Sequence, residues 1–389
     1  MKMRLMLAGT AAAASLSLWC ATPAMADQAA LKVSVDCGDV IGLINAIVLV
    51  NANPQGGTVT LAEDCAYRFE DDFADSGNAL PAITGKVSII GDDSTLIRSS
   101  RAGVNLFRIL AVNENAELTL KDVTVTGGDT EGDGGGIANE GKLWLFYSTV
   151  AGNQAGGDGG GISNEGGTVT LYGSRVLTNV VTTPVLGEAG DGGGLSNNAA
   201  GILILKKTKV TGNTADEDGG GIQNQGTLFL ERTDVENNEA RDDDGGGLNN
   251  LGTATIKDSE FEQNWAGLEG GGINNSEDGT LSISGTSFEE NVSGQDGGGI
   301  NNEGTATLNK SVVEENQAGR DGGGINNEQD PQADQTLLTL ADSKVTENRA
   351  ARIGGGINNW LGAKVTLLYT KIFKNRPTNC AGIVPGCKG

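Results

Sequence analysis

Nine times between positions 134 and 359 the chain writes Gly-Gly-Gly, then Ile or Leu, one variable residue, and Asn. Successive copies begin 25, 33, 27, 26, 25, 27, 25 and 32 residues apart, so two intervals are enlarged and the rest hold nearly constant. A fixed period of this size marks stacked units, none of which can bury its apolar face alone. A second signature alternates with the first: Ser or Thr, any residue, Val, Phe or Ile, two more residues, then Asn. It also occurs nine times, from positions 148–153 to positions 370–375.

Between the two signatures lie short alternating runs such as Thr168-Val169-Thr170-Leu171. Alternation over four or five residues is a strand pattern and is too short for an amphipathic helix. Three strands of about 5 residues plus turns fill a repeat of this length. Each strand then stacks on its counterpart one turn earlier, about 4.8 Å away. The expected fold is all-β, a single-stranded right-handed parallel β-helix with three short strands per coil. Two inward columns are expected, one through Leu143, Val169 and Leu203, the other through Leu145, Leu171 and Leu205. The glycines supply positive φ and close backbone approach at corners. The recurring asparagines suit a corner ladder in which each amide bonds the one above and below.

The paired signatures resemble the repeats of chlamydial polymorphic outer-membrane proteins, whose motifs are Gly-Gly-Ala-Ile-like and Phe-x-x-Asn. More broadly they are similar to secreted bacterial β-helices of the pectate-lyase-like superfamily. The match covers about residues 120–376 and implies fold above all. Gly replaces the motif's alanine in every copy, and Val usually replaces Phe. No translocator barrel sequence follows, so the autotransporter role of that family is not implied.

Residues 1–26 read as a secretory signal: Lys2 and Arg4, an apolar stretch, then Ala24-Met25-Ala26 as the cleavage site. Export is expected, with the chain released or held at the cell surface. Removing the signal's two cations leaves 25 basic against 50 acidic residues, a net charge of −25. Four cysteines remain, Cys37, Cys65, Cys380 and Cys387, which in an exported chain read as one disulfide near each end. Asp39 followed by Val40, Ile41, Leu43, Ile44, Ile47 and Val48 reads as an N-cap and a short helix that plugs the open end of the solenoid. The expected organisation is one domain: a cap over residues 27–57, the β-helix over 58–376 and a disulfide-closed tail over 377–389.

The absence of His removes the commonest general base and a Ser-His-Asp triad. No residue is assigned a catalytic role. Carboxylates are the remaining candidates, because an acid precedes eight of the nine glycine runs. Asp218, Asp244, Glu269, Asp296 and Asp321 in one column could bind Ca²⁺ through carboxylate oxygens. The structural alternative is that these acids accept backbone N–H bonds. Trp144, Tyr172 and Phe229 point outward on one sheet and form a candidate platform for a glycan or cell-surface component; packing beneath the 180–189 insertion is the structural alternative. The only basic cluster on the array is Arg175, Lys206, Lys207 and Lys209, and the net charge argues against nucleic acid and polyanions. The expected protein is a monomeric adhesive, structural or glycan-binding module with no transmembrane segment after residue 26. A polysaccharide lyase or glycoside hydrolase is the competing class, supported by fold analogy alone.

Overall fold

The computed structural model describes residues 29–182, 190–329, 336–360 and 362–388, so the segment expected to be a secretory signal and most of the 180–189 insertion lie outside the described residues. The alternating runs form the wall of the molecule. In one coil, strand Lys142–Phe146 is followed by Thr149–Ala151, Gln154–Ala155 and Ile162–Asn164. Each pairs in parallel with its counterpart one coil on: Leu143 with Val169, Val150 with Val176, Gln154 with Val180, Ile162 with Leu195. The result is an all-β parallel solenoid of about 13 turns with one α-helix near its N-terminus.

Strands gather into sheets of 23, 9 and 11 members. A coil therefore has the three expected sides. The first side, the wide sheet, is bent within each coil into a five-residue and a three-residue segment. The bend falls at the residue before the Ser or Thr of the second signature, which is left-handed whatever its identity: φ is 52° at Tyr147 and Arg232 and 51° at Lys310. A second left-handed corner precedes each signature Asn, as at Asn237 (54°), Glu315 (58°) and Glu347 (60°). Side chains rarely adopt this region, so stacking with adjacent coils must hold them there.

The interior is a narrow column of aliphatic side chains. Leu143, Leu145, Val150 and Ile137 are fully buried, and the pattern repeats coil after coil. Burial of each such side chain contributes roughly 1.5–3 kcal/mol.

The three glycines of each run have separate duties. Gly134 is left-handed, with φ 65°. A Cβ on Gly135 would collide with the carbonyl oxygens of Gln154 and Gly160 in the next coil, and one on Gly136 would meet Gly161 O at 2.6 Å. Only the first glycine is chosen for φ; the other two are chosen for the closeness of the neighbouring backbone.

Both Asn columns are ladders. Eight amide bonds of 2.7–2.8 Å run from Asn139 through Asn164 and Asn250 to Asn359. Eight more, of 2.9–3.0 Å, run from Asn153 through Asn264 to Asn375. Every rung is buried, which leaves no polar stripe for a ligand along either corner.

Helix α1 (Val40–Ala52) begins where Asp39 Oδ1 accepts the Gly42 N–H at 2.8 Å. Leu43, Ala46, Ile47 and Val50 face the first coils. The disulfides join Cys37 to Cys65 and Cys380 to Cys387. The tail covers less than expected: Cys380–Gly382 pairs with Ile357–Asn359 in the 11-stranded sheet, while the last wide-sheet strands, Lys364–Leu368 and Lys371–Phe373, pair only with the preceding coil.

Candidate functional site

Two surfaces collect chemistry. The first is the acidic column. Six of the acids accept, through one oxygen, the backbone N–H of the acid one coil later: Asp158 to Asp133 (2.7 Å), Asp191 to Asp158 (3.1 Å), Asp218 to Asp191 (3.2 Å), Asp244 to Asp218 (3.0 Å), Glu269 to Asp244 (2.8 Å) and Asp321 to Asp296 (2.8 Å). The acids thus accept backbone N–H bonds, and the donors lie in the next coil. The second oxygen meets the outward amide of the first signature's variable position: Gln223 reaches Asp191 at 2.8 Å, Asn274 reaches Asp244 at 3.3 Å, and Asn301 reaches Glu269 at 2.7 Å.

Burial favours the protonated form of the carboxyls in the middle of this column. Desolvation pushes Asp158 and Asp244 up to about 7, Asp218 to about 8 and Glu269 to about 9; Asp191 is also raised. Neighbouring carboxylates add to the shift at each. The far end is neutralised differently. Arg320 grips buried Asp296 through two nitrogens, with Nε–Oδ1 at 2.8 Å, and reaches Glu269 at 3.5 Å, while Arg352 Nε bonds buried Asp321 at 3.0 Å. Two of the five expected Ca²⁺ ligands, Asp296 and Asp321, are thus occupied by guanidinium groups, and a third, Glu269, touches one. The acids close enough to share a cation are grouped otherwise: Asp218 with Asp243 and Asp244, Glu269 with Asp296 and Glu328, and Asp234 with Glu236 and Glu260. Each triplet offers three carboxylates, so filling the six to eight oxygen positions of Ca²⁺ would need bidentate binding together with carbonyls or water.

The second surface is the outward face of the wide sheet. Trp144 and Phe229 stand in one column, three coils apart, with Thr170 and Ile204 between them; Tyr172 occupies the next column, opposite Phe146. The three do not form one platform. Trp144 instead closes a shallow groove of about 190 Å³ lined by Gln55, Lys86, Ser88, Glu117 and Thr119. Tyr172 belongs to a different cluster. The Tyr147 ring lies over Gly173, where a Cβ would come within 2.8 Å of ring carbons, and meets Tyr172 edge-on at 5.8 Å between centroids. Lys207 Nζ donates to the Tyr172 hydroxyl at 3.0 Å, and that hydrogen bond lowers the phenol below its usual range.

Charge on this face is segregated. The wide-sheet segments of three consecutive coils, residues 142–151, 168–177 and 202–211, hold Lys142, Arg175, Lys206, Lys207 and Lys209 and no acid. The next coil reverses sign with Glu231, Asp234 and Glu236. Lys206 pairs with Glu231 at 3.2 Å and Lys209 with Asp234 at 3.0 Å across the boundary. Arg175 and Lys207 are exposed and form no ion pair among the described residues. The chain's formal net charge of −23 does not describe this corner.

Sequence reading missed Tyr147, which is 57% exposed. The available signal was a bulky ring immediately before the Ser of the second signature, where the next seven copies carry Gly, Lys, Arg or Asp and only the last repeats it, as Tyr369. Five consecutive Asn at the variable position, Asn249, Asn274, Asn301, Asn326 and Asn358, were equally visible and form a third ladder with 2.9 Å bonds.

No helix among the described residues is long and apolar enough to cross a membrane. No protein-family model matches the sequence, and no curated protein matches it. Among solved structures, the A-module of the Azotobacter vinelandii mannuronan C-5 epimerase AlgE4 is similar at 13% identity, over 90% of this chain and 94% of that one, with a TM-score of 0.48. The periplasmic alginate epimerase AlgG is similar at 11% identity over 87% and 83%, with a TM-score of 0.46. An iota-carrageenase complexed to iota-carrageenan fragments is similar at 10% identity over 93% and 92%, with a TM-score of 0.28. At that level of likeness, what those proteins act on does not pass to this chain.

Proposed function

We propose that this chain is an exported β-helix that binds a glycan bearing acidic groups at the basic, aromatic corner of its early coils. The observation that carries the reading is the cluster of Tyr147, Tyr172 and Lys207, with Arg175 on the adjoining segment of the same coil as Tyr172. Tyr147 presents a largely exposed ring held in place by Gly173 and Tyr172. Such a ring stacks on the apolar face of a sugar, as aromatic side chains do where one surface is apolar and the edge is wet. Lys207 and Arg175, without carboxylate partners among the described residues, supply the charge that a carboxylate or sulfate ester on that sugar needs. The hydroxyl-lined groove ending at Trp144 lies on the same face and extends the surface toward the N-terminal cap. Phe229, 42% exposed beyond Ile204, borders the site on its other side. Two disulfides fit an oxidising compartment outside the cytoplasm.

The test is binding of the purified exported chain to a panel of neutral, carboxylated and sulfated oligosaccharides, with product analysis by mass. Retention of acidic sugars without turnover, lost in Tyr147→Ala and Lys207→Gln, supports the reading. Equal retention of neutral sugars, or none, sinks it. One observation favours catalysis as a second reading: Tyr172, held below its usual pKa by Lys207, could take a proton beside a bound carboxylate, as a lyase requires. Unsaturated products that vanish in Tyr172→Phe would establish it.

A further inference from the structure

The two ends of the solenoid are unlike its walls. Helix α1 contains no charged residue in its 13 positions, and although one face packs on the first coils, the other leaves Ile41 72% and Leu49 57% exposed. Among the described residues, strand Leu31–Ser34 beside it pairs only with Gly57–Thr60, so its outer backbone edge meets no other described strand. At the opposite end, Lys364–Leu368 and Lys371–Phe373 pair only with the coil before. Leu367 and Ile372, whose counterparts Leu340 and Val345 are fully buried, are only partly covered there, and Tyr369 is 91% exposed. Both open edges belong to the same sheet, and every pairing in that sheet is parallel.

Charge separates the ends. Residues 354–389 contain Lys364, Lys371, Lys374, Arg376 and Lys388 and no acid, a net of +5. Residues 29–65 contain Asp36, Asp39, Glu63 and Asp64 against Lys32, a net of 1 − 4 = −3. On a chain this acidic, five cations in a segment with no carboxylate of its own are not a solvated average surface; Lys374 is paired with Glu347 of the preceding coil at 3.0 Å, and the other four have no such ion pair among the described residues. Unpaired strand edges beside exposed apolar side chains are templates for another chain unless something blunts them. The cations of the last coil would repel a second copy of the same end but attract the acidic first coil.

We propose that the C-terminal coil of one molecule docks on the N-terminal cap of a second copy of this chain. Opposite charges set the polarity, and apolar residues around Tyr369 and Ile41 form the centre of the contact. The contact is head to tail. Because the two surfaces lie at opposite ends of a rod, it does not close on itself and generates linear chains rather than a symmetric dimer. Repetition of the glycan-binding corner along such a chain would raise avidity for a polymer, but the assembly does not depend on that function.

Sedimentation velocity of the exported chain, run over about a hundredfold range of concentration, tests this directly. The sedimentation coefficient should rise with concentration without levelling at two chains, and a tenfold increase in salt should weaken association at least about tenfold. Ile41→Glu and Tyr369→Glu alter highly exposed side chains at opposite ends, and circular dichroism checks that each keeps its β signal. Each variant alone should remain a single chain, whereas an equimolar mixture should form two-chain species and grow no further. Lys371→Glu should weaken association, and Asp64→Lys in the partner should restore it. A wild-type chain that stays single throughout the range overturns the proposal, as does a closed dimer or association unaffected by either end substitution.

Discussion

Replacing Asp218 with Asn separates two accounts of the acidic column. Burial raises this carboxyl from its ordinary 3.8 to about 8, with Asp191, Asp243 and Asp244 adding repulsion. A folded pKa above the unfolded one means that this group's contribution to stability is fully present below about pH 4 and is lost as pH rises toward 8. At pH 7 the difference corresponds to 1.36 × (7 − 3.8), about 4 kcal/mol for a dry site, which solvent at this partly exposed position reduces to about 2 kcal/mol. Asn retains the Oδ1 acceptor for the Asp244 N–H, a 3.0 Å bond, and cannot ionise. Denaturant unfolding of wild type and Asp218→Asn at pH 4, 6 and 8 should therefore give equal stabilities at pH 4 and a variant about 2 kcal/mol more stable at pH 8. A variant less stable than wild type at pH 8 would refute the reasoning. It would mean that the charged carboxylate contributes to the fold, as it would if it held a cation.

Related outcomes follow from the same contacts. Wild-type stability should fall between pH 5 and pH 8.5, because Asp158, Asp244 and Glu269 share the raised range of Asp218; a rising profile in denaturant melts would count against this. Adding a chelator should leave the unfolding midpoint unchanged, since most of the column's acids already accept from backbone N–H groups, amides or arginines. Asn264→Ala removes bonds to Asn238, Val235 and Asn291 and leaves buried partners unmet, a loss of about 3 kcal/mol measurable by denaturation. Gly246→Ala should prevent recovery of folded protein, because the added Cβ runs into the carbonyl oxygens of Trp265 and Gly271 in the next coil.

The coil period, the inward columns and both corner ladders were legible because each rests on one residue type recurring at one place. The bends within the wide sheet were not, since Tyr147, Lys207, Arg232 and Asp258 share a left-handed φ without sharing chemistry. Backbone stacking, rather than side-chain preference, fixes that corner. The acidic column was visible, but its neutralisation was not. Arg320 and Arg352 lie one coil beyond the acids they pair with, a relation that appears only once register is known. The aromatic candidates failed as a group for the same reason: spacing placed Trp144, Tyr172 and Phe229 on one face, whereas register put them in two columns. Net charge conceals the segregation, because it averages over successive coils of the wide sheet that differ in sign.

A crystal structure of the exported chain with a bound acidic oligosaccharide tests the central claim most directly. The sugar ring should lie on Tyr147, with its carboxylate or sulfate within hydrogen-bond distance of Lys207 or Arg175. A sugar seated instead along the acidic column, or density on neither face at saturating ligand, would contradict it.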